Sequence, residues 1–425
     1  MLYTQKLREE LDRKRHQLTR YQDHYGQRLG AFRDALRSLG QRYPSSAALT
    51  AAQDAMSQRD GGPRSFGARA TTEYDRWRAT ESFAIPTLPF GHTFAHHEEA
   101  RAWAECLRGV TTLAVDGSQL PPWRDASVPV ALVQAGLFEN PHNPPEPYVK
   151  DVYLELLSPE ELIVTEPDTT DARTGEDLSY SMEIVNLHRF ELEVRTLIQR
   201  MEHHARLREA IPRNERSRVV AFYDGSLIMS FALKKAPHYR TRYVAGAQQL
   251  LEASYVTGIP LVGYIDTSYA RDIMTLLTSL DERQSLTESR GVYDALLWQG
   301  SLHWGDRSPA FISAREDLSQ MGYGQQRSEL AFVYFQAAHD RPPARLEFPR
   351  WVLDSGQLDE VMSVVCAETI AATGYPYTIE AADAVAVISA RDRAQFYATF
   401  QQFAEREGLS FSFSRKALSK NRRRV

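Results

Sequence analysis

The chain has 425 residues, 43% hydrophobic and 25% charged, the make-up of an ordinary soluble protein with enough length for a large core or two domains. A net charge of −5 speaks against a uniformly basic nucleic-acid coat. The two cysteines, Cys106 and Cys366, stand far apart with no His or Cys at metal-ligand spacing, which excludes a disulfide framework and a zinc site and suits a reducing cytosol. The start, Met1 to Glu10, is charged where a signal peptide needs an apolar run, and no stretch approaches membrane-spanning length; a cytoplasmic protein is expected.

Residues 1 to about 58 read as helix, because Leu7, Leu11, Leu18, Tyr21, Tyr25 and Leu29 recur at threes and fours among charges. This predicts an arm or a coiled-coil-like hairpin. The first eighty residues are rich in arginine, and Arg415, Lys416, Lys420, Arg422, Arg423 and Arg424 crowd the last eleven. Such ends either bind phosphate or are solvated helix faces and a disordered tail. Breaks at Asp60-Gly61-Gly62-Pro63 and at Ile85 to Gly91 place the boundaries at a helical extension, 1–100, and a main domain, 101–425.

In the main domain a strand is expected to end at Asp116, followed by strands over Val128 to Phe138 and Val149 to Leu157 and a long helix over Tyr180 to Arg208. A returning strand then ends at Asp224. Three strands that can form a meander, a helix and a returning strand are the opening order of the ribonuclease H-like fold. We therefore expect an α/β chain with a ribonuclease H-like mixed sheet flanked by helices. Helices over Ala245 to Thr257 and Ala270 to Leu280 enclose a strand at Pro260 to Ile265. Later strands fall at Glu329 to Gln336 and Arg345 to Phe348, before helices at Gly356 to Thr373 and Glu380 to Ser389.

Both strand ends carry Asp-Gly-Ser: Asp116-Gly117-Ser118 and Asp224-Gly225-Ser226. A glycine after the carboxylate lets the backbone turn sharply, leaving each aspartate at the carboxyl end of its strand. Two such aspartates on neighbouring strands can share a hard divalent cation. Phosphodiester hydrolysis with two cations asks for three or four carboxylates. On the long helix Glu191 falls within the stripe formed by Leu187, Val194, Ile198 and Met201 and is taken as the third acid, or else as a partner of Arg195. Glu193 points off that stripe and reads as solvated; Glu183 lies near it a turn or two earlier. A fourth candidate, Asp383, follows the Gly374-Tyr375-Pro376 loop on a helix otherwise small and apolar, where a surface acid is the plainer reading.

In this order these residues resemble the NurA nuclease family: a Val-Asp-Gly-Ser strand end, a helical glutamate, an Asp-Gly-Ser-Leu strand end, and a late Gly-Tyr-Pro loop before a helix. The segments Trp304 to Phe311, with Asp306-Arg307-Ser308, and Ala344 to Trp351, with Arg345 and Glu347, are softer matches. The resemblance covers about 108–395. It implies a manganese- or magnesium-dependent deoxyribonuclease with two ions, acting as a 5′–3′ exonuclease, a single-strand endonuclease or both. It also implies a homodimer working with a HerA-type hexameric ATPase in DNA end resection, repair or defence. Metal ligands carry over to Asp116, Asp224, Glu191 and Asp383, and the active-site tyrosine to Tyr375, which would orient the scissile phosphate or stack on a base. Where the family usually has histidine, eight residues after that tyrosine, this chain has Asp383. A carboxylate there either ligates metal or marks the loss of a proton-handling group. Arg307 reads as a phosphate contact or as an Asp-Arg pair bracing a turn. The competing readings are a non-cutting subunit of the same ATPase complex, an actin-like or sugar-kinase ATPase, and a helical scaffold. The kinase-like turns are usually richer in glycine and threonine, no Walker motif is present, and a scaffold leaves the strands unexplained.

Overall fold

A computed structural model describes residues 3–59, 65–79, 85–122, 127–162, 181–212, 217–282, 285–286, 290–323, 327–338, 341–372 and 374–410. The basic cluster at 415–424 and the break at 60–63 lie outside them. In chain order the strands are β1 (Gly67–Ala70), β2 (Val110–Leu120), β3 (Ala131–Asn140), β4 (Val149–Leu157), β5 (Arg218–Asp224), β6 (Leu261–Ile265), β7 (Phe311–Ala314), β8 (Leu330–Phe335) and β9 (Ala344–Pro349). The helices begin with α1 (Thr4–Arg42), α2 (Ser46–Arg59), α3 (Thr72–Ala79), α4 (His97–Trp103), α5 (Pro159–Leu162), α6 (Met182–Glu209) and α7 (Pro237–Thr257). They continue with α8 (Asp272–Ser279), α9 (Asp294–Trp298), α10 (Glu316–Gln320), α11 (Arg350–Asp354), α12 (Leu358–Ala371), α13 (Tyr377–Ala386) and α14 (Ala390–Arg406). The chain forms two compact units, Met1–Glu99 with Gly263–Gln357, and Ala100–Val262 with Leu358–Val425.

In the second unit the strand order is β5-β2-β3-β4. β2, β3 and β4 form an antiparallel meander, and β5 returns parallel to β2, with α6 in the connection. The expected mixed α/β character is what the structure has. Side chains alternate across a strand, so neighbouring residues of β2 meet different helices. Gln119 donates to Asn186 of α6 at 2.7 Å, while Thr112 meets Thr378 of α13 at 2.7 Å. α6 is enclosed on a second side by α7: the Phe190 ring occupies the space beside Gly246, 2.7 Å from where a Cβ would stand. α13 crosses β3 at backbone contact, and a Cβ on Gly136 would lie 2.5 Å from the Ala386 nitrogen. Glycine is the residue that permits this approach.

Glu368 of α12 fixes α13 to the sheet. Its buried carboxylate accepts from the Thr112 hydroxyl at 2.8 Å and from the Thr378 backbone N–H at 2.8 Å. At the far end of α6, burial alone would raise the carboxyl of Glu139, but hydrogen bonds from His204 and Arg200 override it and bring it to about 2.

In the first unit the order β1-β7-β8-β9-β6 is antiparallel throughout. The four-residue strands β1 and β7 are too short to carry a periodic signal, so the sequence reading lacks them. The N-terminal helical region is α1 and α2, separated at Tyr43-Pro44, where the missing proline N–H and the restriction on its predecessor end the first helix. Phe32, Leu36 and Leu39 of α1 enter a core with Leu49, Tyr74 and Trp77.

The first unit's interior also absorbs the two softer sequence motifs. Arg345 is sunk between acids, donating to Glu347 at 2.8 Å and to Asp272 and the Tyr334 hydroxyl at 3.1 Å. The Tyr334 hydroxyl in turn donates to Asp294, whose carboxyl is held above its usual range by burial and by Asp272. Arg307 corrects its expected role. It is 5% exposed, pairs with Glu73 and donates to the Ser308 carbonyl, so its guanidinium is a buried brace and not a phosphate contact. The partner is Glu73 and not the adjacent Asp306, which instead accepts from the Phe90 and His303 backbone.

Candidate metal centre

The parallel register of β2 and β5 sets Val115 against Tyr223, which leaves Asp116 and Asp224 next in line on adjacent strands. The two Asp-Gly-Ser copies then differ. After Asp224 the chain turns at Gly225, whose φ of +123° favours glycine. After Asp116 there is no turn, and β2 continues to Leu120. Gly117 serves a different purpose. A Cβ there would overlap the Glu193 carboxylate oxygen of α6, so the glutamate stands where a side chain at 117 would be.

The expected order of the helical acids is therefore reversed. Glu191 forms a two-point ion pair with Arg242 of α7, at 2.7 and 2.6 Å, and is not brought to the aspartates. Glu183 pairs with Lys235 at 2.6 Å. Glu193, expected in solvent, is 7% exposed and close enough to Asp116 and Asp224 to feel their charges. The physical reason is the second packing surface of α6: α7 claims the side bearing Phe190 and Glu191, while the sheet takes the side bearing Asn186, Arg189 and Glu193. A single stripe cannot describe a helix buried on two sides.

Arg189, one helical turn before Glu193, donates to its carboxylate at 2.6 Å and to the Gly117 carbonyl at 3.2 Å. The sequence reading did not single it out, although its i,i+4 spacing from Glu193 was visible. Burial, only partly opposed by Arg189 and reinforced by Asp116 and Asp224, lifts the Glu193 carboxyl to about 7. Asp116 is lifted to about 6, by burial first, against the Gly117 N–H and with Asp383 and Asp224 adding to the rise.

Asp383 arrives from α13 close enough to Asp116 to raise its carboxyl. Tyr375 sits in the loop before that helix, beyond Gly374 with its φ of +88°, and its hydroxyl donates to Asp224 Oδ1 at 2.5 Å. Four of the five expected catalytic residues, Asp116, Asp224, Tyr375 and Asp383, are thus gathered at one place, with Glu193 in place of Glu191.

The NurA domain model matches residues 110–388, a span that contains every residue of this cluster. The chain belongs to the NurA family. A search of curated proteins finds no match. NurA proteins are nucleases, so an acidic cluster at adjacent strand ends of this NurA domain sits in a fold whose chemistry calls for one. Among the described residues no helix is long and apolar enough to cross a membrane.

Among the described residues no three acidic, histidine or cysteine groups already form a cation cage. The donor chemistry nevertheless fits a hard cation. Both Asp116 and Glu193 are pushed toward protonation by burial and by like charges, with Asp383 and Asp224 acting on Asp116. A divalent cation relieves the same repulsion. The cluster consists of oxygen donors alone, which suits magnesium or manganese and not zinc.

Proposed function

We propose that this NurA protein is a metal-dependent deoxyribonuclease that hydrolyses phosphodiester bonds, with Asp116, Asp224, Asp383 and Glu193 as its acids. The observation that carries this reading is the meeting of Asp116 with Asp383 and Asp224, backed by Glu193, inside a nuclease-family domain. These carboxylates would hold magnesium or manganese, one ion or two, which when bound supplies a water of lowered pKa and neutralises charge on the leaving oxygen. The chain's own groups do the rest. Tyr375 holds the Asp224 carboxylate in one orientation and offers a ring and hydroxyl to the scissile nucleotide. Arg189 orients Glu193 against Gly117 and keeps a positive charge beside an acidic site that must receive a phosphate.

The strand order of the second unit supports a ribonuclease H-like assignment. Membership of the NurA family further supports a homodimer, and a HerA-type ATPase that feeds DNA to it for end resection, repair or defence. The chemistry is tested on linear single- and double-stranded DNA with manganese, magnesium or EDTA, using the wild-type chain and Asp116→Ala. Cleavage is expected with either metal, none with EDTA and none by the variant. Cutting that persists in EDTA or in Asp116→Ala overturns the mechanism, and the distribution of labelled products distinguishes exonuclease from endonuclease action.

A further inference from the structure

Helix α13 delivers Asp383 to Asp116, and it is held on the sheet at two places. At its C-terminal end it crosses β3. There Gly136, directly opposite Asp116 in the strand register, leaves room for the Ala386 backbone, and Gln134 Nε2 donates to the Ala386 carbonyl at 3.0 Å. At its N-terminal end the Thr378 backbone N–H donates to one oxygen of the buried Glu368 carboxylate, and the Thr112 hydroxyl of β2 donates to the other. The Thr112 and Thr378 hydroxyls also meet, at 2.7 Å, and His142 Nε2 stands 3.4 Å from the Glu368 oxygen that faces Thr112. Side chains alternate along a strand, so Thr112 lies on the same face of β2 as Asp116, four residues before it.

The two holds match in length. Thr112 to Asp116 spans about 13 Å of strand, and Thr378 to Ala386 about 12 Å of helix. Helix and strand therefore run in step, with Asp383 between the two anchors. A short helix moves as one piece, so a shift of its first turn is passed on to Asp383. The same turn follows directly on Tyr375, whose hydroxyl donates to Asp224. Glu368 serves this turn through its acceptors. Methionine in its place would fill a similar volume but leave the Thr378 N–H buried without an acceptor, which the first turn can relieve only by moving. Glutamine would keep the hold: its oxygen accepts from Thr378, and its amide nitrogen faces the Thr112 hydroxyl and His142, both able to accept.

We infer that Glu368 is a positioning residue of the metal centre, setting the place of Asp383 through the first turn of α13 from outside the acidic cluster. The inference rests on the nuclease reading above. It is tested on the full-length chain without DNA, by following free manganese in electron paramagnetic resonance as the metal is added, beside thermal melting. The wild type is expected to bind manganese and Asp116→Ala to bind it poorly. Glu368→Met should raise the half-saturating manganese concentration about 10–100-fold, as lost support of a metal ligand does, and Glu368→Gln should stay near the wild type. Thr112→Val, the milder change should the methionine chain not fold, removes the hydroxyl between Glu368 and Thr378 and should raise it by a smaller factor. Val365→Ala, a buried apolar truncation three residues earlier on α12, should lower the melting temperature and leave half-saturation unchanged. An unchanged half-saturation in Glu368→Met or Thr112→Val, or an equal rise in Val365→Ala, overturns the inference alone. A wild type that binds no manganese, or an Asp116→Ala chain that binds it as well, overturns the nuclease reading and the inference with it.

Discussion

Glu191 and Glu193 lie two residues apart on α6, about 200° around its axis, so one helix can offer only one of them to a given surface. The Arg242 ion pair holds Glu191 where it is, and the gap beside Gly117 holds Glu193. Both replacements by glutamine preserve size and remove charge, which makes the pair its own control. Glu193→Gln should raise the manganese concentration needed for half-maximal cleavage by about 10–100-fold, the usual cost of disturbing a metal ligand or its support. Glu191→Gln should leave that concentration unchanged, because it removes only a partly exposed ion pair. A titration of rate against metal concentration decides the matter, and the opposite ranking would return Glu191 to the site.

Strand β2 and helix α6 meet at Gly117, and there the limits of reading from sequence become physical. Alternation and periodicity specify which segments become strands and helices, since those patterns are local. The meander, α6 and β5 were legible for that reason, and Asp116 and Asp224 followed from them. What a helix buries on its second side depends on residues distant in the chain; here α7, anchored through Gly246 and Arg242, decided that Glu191 looked away. The first Asp-Gly-Ser misled for a related reason: glycine was read as a turn, whereas at 117 it vacates space for Glu193. Two alanine substitutions separate these roles. At Gly225 a Cβ meets nothing nearer than 3.8 Å, but the φ of +123° strains any other residue. At Gly117 the backbone is ordinary strand and the clash is with Glu193 first and with the Arg189 side chain second. Each should cost about 1–3 kcal/mol in urea denaturation, the first by backbone strain and the second by overpacking. Adding Glu193→Ala should restore part of the loss at 117 and none at 225, and equal coupling in both double-mutant cycles would remove the proposed contact.

Across the whole molecule, two kinds of carboxyl pull stability in opposite directions as pH changes. Asp116, Glu193 and Asp294 have their folded-state values raised, to about 6, to about 7 and above the usual range respectively, against an ordinary value near 4. Between about pH 4 and 7 the folded chain therefore binds more protons than the unfolded chain, and stability falls as pH rises through that window. Glu139 acts oppositely. With its folded value lowered to about 2, its contribution is present above about 4.5 and is lost as pH falls toward 2. Without divalent cations, unfolding monitored by tryptophan fluorescence at pH 3 to 8 should show greatest stability near pH 4 to 5, with a decline on either side. Glu193→Gln should flatten the neutral limb and Glu139→Gln the acid limb. Asp294→Asn should act on the neutral limb too, but through the first unit, so a transition resolved into two steps would assign each change to its own unit. Magnesium binds only the charged carboxylates and so stabilises most where the protons have left, at pH 7 and above. Saturating magnesium should thus lift the neutral limb with little effect at pH 5, and in Glu193→Gln that lift should shrink. Stability that climbs steadily from pH 5 to 8 without any divalent cation would mean that these acids do not crowd one another in the folded protein.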